Sequence, residues 1–381
     1  MIADIVAAVV IVVATAYAAL AGADFGGGVW DLLAGGTDAG LAPRRRIDTS
    51  ITPVWESNHV WLIIVIVVLW TAFPVAFADV FTTLFVPLSV AGLGIVLRGS
   101  GFAFRAQIRS LRWQAVTGGV FAFSSLLTPF FLGTVVGAIA VGRVHGVAGD
   151  PVGSWVNPTS LLTGALFVAA GAYLAAIYLA VDSERGGDPE LRVYFIRRAL
   201  AAAVVTGVLA GVTMAVLHTT AKSLFTELVT GRSLPLVIIS VIAGIAVLAA
   251  LALDAVRLVR PLAVLAVAAV IWGWAVGQYP YILPPRLTIA GAAAPTATLG
   301  TELVVVGLIV ILVIPSFVLL FRLAQSGRLA EAAEASGPHP AGSLAAEGSP
   351  LSGQPWYTRV AAGAFLAAAT ARAIRRRWSR H

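Results

Sequence analysis

A carboxylate and a histidine open the second long apolar run of this sequence. Glu56 and His59 are three residues apart, so they share one face of a helix, and Asn58 adds an amide between them. A carboxylate and an imidazole at the edge of an apolar helix suit proton transfer. A structural explanation stays open, because Thr52 and Pro53 suit a helix start, where the helix dipole favours Glu in the first turn.

A second carboxylate lies in a glycine-rich segment at the end of the first apolar run. Asp24 falls between Gly22 and Gly26, whose GxxxG spacing lets another helix approach closely. Asp24 is therefore a second candidate for proton exchange, and the plainer alternative is an aqueous Asp at a glycine-rich helix end. Trp55 and Trp61 flank the first set and fit the aromatic belt of a membrane interface.

Basic residues mark the end of the third apolar run. Arg105, Arg109 and Arg112 are spaced at i, i+4 and i+7, so they share one face if the helix continues, and Arg98 precedes them. This pattern favours contacts with lipid phosphates on the cytoplasmic side. The alternative is a neighbouring anion, such as a haem propionate.

The sequence offers little for holding a redox centre. It has no cysteine, which excludes disulfides, thiolate metal sites and iron–sulfur clusters. Its histidines do not form an obvious axial pair for haem. They are His59, His145, His218, His339 and His381. We therefore expect no metal site and no directly bound cofactor in this chain.

The composition requires a membrane. Hydrophobic residues make up 59% of the chain and charged residues 11%, whereas soluble domains have about 25% charged residues. Apolar runs of roughly 18 to 28 residues fit the length that crosses a bilayer. They begin near Ile2, Glu56, Val80, Trp113, Ser160, Ala199, Pro235, Pro261 and Leu303. We predict an all-α membrane protein of nine transmembrane helices, arranged as two four-helix bundles plus one peripheral helix.

Basic residues are divided unequally between the two sets of loops. One set holds thirteen Lys and Arg before the tail, and the other, which includes the N-terminus, holds four. By the positive-inside rule the N-terminus is outside and the C-terminus is cytoplasmic. Membrane orientation also explains the net charge of +7 better than nucleic-acid binding does, so no nucleic-acid partner is expected.

The composition changes near the end of the last apolar run. Residues 1–322 form the predicted membrane domain, and residues 323–381 form a cytoplasmic linker and basic tail. The linker is rich in Ala, Gly, Ser and Pro, which bury too little apolar surface to fold. Residues 360–378 fit a short interfacial helix on the inner leaflet, with a disordered basic tail as the alternative.

Together these segments resemble the second, non-haem subunit of cytochrome bd-type quinol oxidases. The family pattern Gly-x-Asp-Phe-Gly-x-Gly matches residues 22–28, and Pro-x-Trp-(Glu/Asp)-x-Asn-x-Val-Trp-Leu matches residues 53–62. Further similar segments are Phe73-Pro74, Arg98-Gly99, Phe104-Arg105 and residues 279–284. The resemblance extends from about residue 15 to 322 and is strongest in the first 110 residues.

The resemblance implies a complex of the bacterial cytoplasmic membrane that oxidises a quinol, menaquinol or ubiquinol, and reduces oxygen to water. Haems b558, b595 and d are then bound by the homologous subunit I. The second subunit shares the fold of the first, binds no haem, and helps to form the route of proton uptake. Membrane lipid, a structural quinone and a small single-helix accessory subunit are further partners that the resemblance allows.

The same resemblance assigns roles to individual residues. Glu56 matches the carboxylate at the cytoplasmic mouth of the proton route, Asp24 matches the motif Asp of the first helix, and Trp61 matches an aromatic residue of a proposed oxygen route. The predicted proton pathway is Glu56, Asp24, His59 and Asn58. The residues predicted for the oxygen route or the subunit interface are Trp55, Trp61, Gly22 and Gly26. The predicted cytoplasmic basic cluster is Arg98, Arg105 and Arg109.

One departure from the family and two alternative functions stay open. Ala103 stands where members of the family often have an acid, so a relay that uses that acid is rerouted or absent here. A polytopic secondary transporter fits the composition equally well, although the carboxylates gather at one face rather than at the midplane. A purely structural assembly subunit is the third interpretation.

Overall fold

The computed structural model describes residues 1–35, 40–51, 55–105, 111–253 and 255–325. Side chains at several helix ends lie outside this description, among them those of Trp55, Glu56 and Arg105. Most of the described chain is α-helical, with one short 3₁₀ helix at Gly146–Ala148 and one two-stranded antiparallel sheet. The predicted all-α fold is therefore confirmed.

The helices and strands follow one another in a simple order. In sequence they are α1 (Ile2–Leu33), α2 (Leu41–Ile51), α3 (Trp55–Ala72), α4 (Pro74–Thr83), α5 (Phe85–Arg105), α6 (Leu111–Ala140), α7 (Pro158–Arg185), α8 (Pro189–Thr220), α9 (Lys222–Val229), α10 (Leu234–Ala252), α11 (Val256–Gln278), β1 (Tyr281–Leu283), β2 (Leu287–Thr288), α12 (Ile289–Ala292) and α13 (Thr296–Gln325). Within the described residues, seven helices are long and apolar enough to cross a membrane. These are α1, α6, α7, α8, α10, α11 and α13.

The chain bends sharply between the second and third apolar runs. Helix α3 ends at Ala72, and α4 starts at Pro74, where proline suits the first helical position. The axes of α3 and α4 differ by 118°. The predicted start near Val80 is wrong, because Val80 lies in α4 and the next apolar helix, α5, begins at Phe85. Nine crossings require that α3 and α5 also span the membrane, so that count stays a prediction.

Capping residues, not hydropathy, decide where α8 begins. The side chain of Asp188 accepts a hydrogen bond of 3.0 Å from the Leu191 backbone N–H, and Pro189 occupies the first helical position. Helix α8 therefore starts at Pro189, well before the apolar run that begins near Ala199. Hydropathy located the span and missed its polar first turns.

The two larger of three clusters of buried apolar side chains among the described residues lie in the first of two compact units, Met1–Leu312. One cluster joins α1, α2, α7, α8, α10 and α11 around Ile177 and Phe195. The other joins α1, α3, α4 and α13 around Phe73. The second unit is Val313–His381, of which residues 313–325 are described. The predicted tail beyond residue 325, with its interfacial helix at 360–378, lies outside the described residues.

The outer surfaces of several helices are apolar. Val208 of α8 is 59% exposed, and Ile242 and Ile245 of α10 are each 61% exposed. Contiguous apolar surface of this kind is unusual on a soluble monomer and is normal where a helix faces lipid. The packing thus agrees with the composition.

Candidate functional site

A buried carboxylate lies near the end of α1. Asp24 is 7% exposed, and Asn58, from the first turns of α3, is 1% exposed. The Asn58 side-chain amide donates a hydrogen bond to the Asp24 carboxylate. A buried carboxylate is stable only with such partners, so α1 and α3 are joined here by a polar contact inside an apolar core.

An arginine completes the environment of Asp24. Arg98 of α5 is 1% exposed, and its Nη2 donates to the Asp24 carbonyl oxygen at 2.7 Å. Its Nη1 donates to the Ser125 hydroxyl of α6. The guanidinium carbon lies 4.8 Å from the ring centre of Phe25 and 4.5 Å from that of Phe121. Arg98 therefore joins α1, α5 and α6 through hydrogen bonds and cation–π contacts.

Glycines allow these helices to approach. A Cβ atom at Gly28 would overlap the Ser125 side chain and come within 3.5 Å of Arg98 Nη1. A Cβ atom at Gly26 would overlap the carbonyl of Gly171 in α7. A side chain at either position would push apart the helices that surround Asp24 and Arg98.

Aromatic rings and two unsatisfied polar atoms border the cluster. The ring of His59 is centred 6.4 Å from that of Tyr17 and 5.9 Å from that of Phe25. Two buried atoms, the Tyr17 hydroxyl oxygen and Asn58 Oδ1, have no hydrogen-bond partner within the part of the chain that the structure describes. Polar hydrogen-bonding capacity is thus available between α1 and α3.

A second carboxylate, which the sequence reasoning missed, lies two turns further along α1. Asp31 is 5% exposed, and its Oδ1 lies 3.3 Å from Nε of Arg44 in α2. The spacing of Asp24 and Asp31, seven residues apart on one helical face, was the available signal. It was overlooked because Asp31 stands outside the glycine motif.

A sequence profile of the family described as cytochrome bd terminal oxidase subunit II matches residues 2–324. The chain belongs to this family. The family resemblance inferred from the motifs is therefore confirmed, and membership favours the oxidase over the transporter. With seven long apolar helices among its described residues, the chain is a multi-pass bacterial membrane protein, as predicted.

Curated relatives match over part of their length. Cytochrome bd ubiquinol oxidase subunit 2 of Bacillus subtilis (strain 168) is 30% identical over 152 residues, which cover 38% of this chain and 43% of the relative. Cytochrome bd-I ubiquinol oxidase subunit 2 of Escherichia coli (strain K12) is 28% identical over 172 residues, 43% of this chain and 44% of the relative. Each match spans less than half the length of the curated relative.

A solved structure shares the fold. The bd oxidase from Geobacillus thermodenitrificans contains a chain that superposes with a TM-score of 0.70 at 23% sequence identity. The superposition covers 84% of this chain and 98% of that chain. The architecture is thus that of a bd oxidase chain.

The structure of this bd-oxidase subunit II brings several predicted site residues together. Asp24, Asn58 and His59 meet in one cluster, which also includes Arg98. Trp61 is partly buried and packs against the cluster around Phe73. The side chains of Glu56, Trp55 and Arg105 and the whole of Arg109 lie outside the described residues.

Two sets of predicted residues have other surroundings than the sequence indicated. Arg98 is buried inside the subunit, whereas it was predicted as part of a cytoplasmic basic cluster with Arg105 and Arg109. Gly22 and Gly26 lie against Gly171 and Leu174 of α7, so they allow a close approach of two helices within this chain; their predicted place at an oxygen route or subunit interface stays a prediction.

Proposed function

We propose that this subunit works beside a haem-bearing subunit I in a quinol:oxygen oxidoreductase and contributes to proton uptake from the cytoplasm. The relatives of Bacillus subtilis and Escherichia coli are named as subunits of ubiquinol oxidases, which supports a quinol as the electron donor. The observation that carries the proposal is the buried cluster of Asp24, Asn58 and Arg98. Reduction of oxygen to water consumes protons, and such a cluster can supply them.

Each residue of the cluster has a separate task. Glu56, in the first turn of α3, accepts a proton at the cytoplasmic mouth, and His59 lies one turn further along the same helix. Asp24 then holds the proton, and Asn58 orients its carboxylate by donating a hydrogen bond. Arg98, which donates to the Asp24 carbonyl oxygen, places a cation near the carboxylate inside the low-dielectric core.

The unsatisfied polar atoms support a hydrated route. Buried polar atoms in proteins nearly always have a hydrogen-bond partner. The Tyr17 hydroxyl and Asn58 Oδ1 have none among the described residues; the Tyr17 ring lies near that of His59, and the Asn58 amide binds Asp24. Water bound between them would connect His59 with Asp24, because a water molecule can both accept and donate a proton.

The three histidines that the structure describes lie far apart in the fold. Among the described residues, His59 lies near the start of α3, His145 lies in the loop after α6, and His218 lies in the last turn of α8, beside Phe225. No two of them share a site, so no axial pair forms within the described ranges. Haems b558, b595 and d, which bind oxygen and transfer electrons, are accordingly assigned to subunit I.

The topology of the proposal is nine spans with the N-terminus outside. Helices α3 and α5 then cross the membrane, and the 118° bend between α3 and α4 lies on the outer side. The extensive contacts of α5 with α6, of α7 with α8 and of α10 with α11 support two bundles of four helices, with α13 peripheral. Under this topology Asp24, Asn58 and Arg98 lie near the cytoplasmic end of the membrane domain.

Further partners follow from the same assignment. The apolar outer faces of α8 and α10 are available to membrane lipid or to a structural quinone. A small single-helix accessory subunit would need a similar apolar face. The donor, menaquinol or ubiquinol, is oxidised at subunit I.

The test is the substitution Glu56→Gln in the purified two-subunit complex. We expect oxygen reduction at saturating quinol to slow by about a hundredfold, since removal of a general acid–base group costs that order of rate. Glu56→Asp should retain most of the activity. The reduced-minus-oxidised spectrum should show normal haem content, including haem d.

Glu190→Gln is the matched control. Glu190 also follows a proline in the first turn of a helix, but it is exposed and distant in sequence from the cluster. Its loss should leave the rate unchanged. Full activity of Glu56→Gln would make Glu56 a helix-end acid only.

A further inference from the structure

The inner end of α1 carries two carboxylates on one face, with an arginine between them. Asp24, Gly28 and Asp31 are spaced at i, i+4 and i+7, so they lie along one side of the helix. Arg98 packs on that side, because its Nη2 donates to the Asp24 carbonyl oxygen and its Nη1 lies beside Gly28. The guanidinium also interacts electrostatically with both carboxylates. Asp31 therefore belongs to the same electrostatic unit as Asp24.

A short helix covers Asp31. Arg44 of α2 forms an ion pair with the carboxylate, and its Nη2 lies 3.5 Å from the Asp31 carbonyl oxygen. The Asp31 side chain is 6% exposed and that of Arg44 is 26% exposed, so Arg44 lies on the solvent side. Ile47 of α2 is 1% exposed within the core cluster, and this fixes the helix over the end of α1.

The set of charges is balanced. Asp24 and Asp31 provide two negative charges, and Arg98 and Arg44 provide two positive charges. The ion pair of Asp31 with Arg44 contributes little net stability, because desolvation of the buried carboxylate offsets the attraction. Ionisable residues at the edge of a membrane domain more often have a functional role than a purely stabilising one.

We propose that Asp31 is a further proton-loading carboxylate of this subunit and that Arg44 is its positioning residue; this inference rests on the proposed role in proton uptake. The Asp31 carboxylate takes one proton from cytoplasmic water, and the bulk buffer neutralises the hydroxide that remains. The proton then passes to the Asp24 carboxylate, and Asp31 returns to its anionic form. Arg44 and Arg98 keep their protons throughout, since guanidinium groups do not release them.

The distance between the Asp24 and Asp31 carboxylates determines whether a proton can pass directly between them or needs bridging water. Seven residues of helix separate Asp24 from Asp31 by about 10 Å, which is too far for direct transfer. Bridging water is therefore required. The Arg98 guanidinium and the Ser125 hydroxyl lie along this stretch, beside Gly28, and are the polar groups that would order the water.

Four variants of the complete two-subunit complex test the assignment. Asp31→Asn should slow oxygen reduction at saturating quinol by about tenfold at about pH 8.5, and by less at about pH 6, where protons are abundant. Asp31→Glu should restore the rate to within about twofold. Arg44→Gln should move the midpoint of the rate–pH profile to higher pH, because loss of a cation favours a protonated carboxylate.

The fourth variant, Glu184→Gln, is the matched control. Glu184 also pairs with an arginine, Arg192, at the same end of the bundle, with 2.5 Å between the charged atoms, but its side chain is 47% exposed. We expect its rate–pH profile to be unchanged. Rates are expressed per haem d, so that a loss of assembled complex is not counted as a loss of proton supply.

The outcomes separate this inference from the proposed function. If oxygen reduction is slow in Asp24→Asn and in Glu56→Gln but unchanged in Asp31→Asn, only the proposed role of Asp31 is overturned. Full activity of all three would overturn the proton-uptake function itself. If Asp31→Asn does not assemble, Arg44→Gln decides, since it keeps the carboxylate: an unchanged pH profile overturns the proposal.

Discussion

Arg98 is the residue that joins the most partners in the candidate site. One guanidinium contacts a backbone carbonyl of α1, a hydroxyl of α6 and the rings of Phe25 and Phe121. Only arginine offers several donors in a planar fork that can also stack on rings. Its contribution is therefore geometric as well as electrostatic.

This geometry predicts a graded response to substitution. Arg98→Met leaves the buried Asp24 carbonyl oxygen and Ser125 hydroxyl without their donor and should cost about 1–3 kcal/mol, the usual loss when a buried polar group loses its hydrogen bond. Arg98→Lys should cost less, because the charge stays and the fork is lost. The melting temperatures of the purified variant complexes show whether Arg98→Met is less stable than Arg98→Lys. Arg45→Met, at an exposed position of α2, should change little, and equal melting temperatures for all variants would contradict the assignment.

Sequence reasoning identified Asp24, Asn58 and His59 and missed how they meet. Motif and spacing place each residue on its own helix, but the contact between α1 and α3 is a tertiary event. Arg98 shows the limit most clearly. It was predicted as part of a cytoplasmic basic cluster with Arg105 and Arg109, because a sequence pattern shows which residues lie near one helix end and not what covers them. Gly28 makes room for the Ser125 side chain, whose hydroxyl accepts a hydrogen bond from Arg98, and neither contact is visible before α6 is packed.

At the level of helices, close approach depends on single glycines. The GxxxG motif of α1 suggested two equivalent positions, but the structure separates them. A Cβ atom at Gly26 would overlap the Gly171 carbonyl, whereas one at Gly22 would lie 3.9 Å from Leu174 Cδ1, an ordinary contact. Only the second glycine of the motif is required by the packing of α1 on α7.

Substitution of these two glycines by alanine should change the stability of the complex in different directions. Gly22→Ala should be neutral or stabilise by up to about 1 kcal/mol, since alanine favours a helix over glycine. Gly26→Ala should destabilise by about 1–3 kcal/mol, the usual cost of overpacking. The melting temperatures of the two variant complexes, compared under one set of conditions, measure this difference. Equal stability of Gly22→Ala and Gly26→Ala would contradict the packing.

Helix ends were predicted less well than helices. Hydropathy located the seven helices that, in the described part of the chain, are long and apolar enough to cross a membrane, because crossing a bilayer demands a fixed length of apolar residues. It misplaced the start of α8, where Asp188 and Pro189 begin the helix in a polar segment, and it did not reveal the bend after Ala72. Helix caps and helix bends depend on a few individual side chains, and hydropathy averaged over a window of residues does not detect their effect.

For the molecule as a whole, the distribution of charge is the property that the proposed function depends on most. The clusters around Asp24 and Asp31 lie at one end of α1, which the positive-inside rule assigns to the cytoplasm. If that assignment were reversed, the same groups would face outward and could not take up cytoplasmic protons. The orientation is thus the first fact to measure.

The absence of cysteine from the sequence makes that measurement direct. Val147, in the 3₁₀ helix between α6 and α7, is 92% exposed, and Glu190 is exposed in the first turn of α8. The proposed topology puts these positions on opposite sides. A membrane-impermeant maleimide should label Val147→Cys in intact cells and Glu190→Cys only after permeabilisation, with the cysteine-free chain as the unlabelled control. The reverse pattern would put the N-terminus in the cytoplasm and remove the basis for proton uptake through Glu56, Asp24 and Asp31.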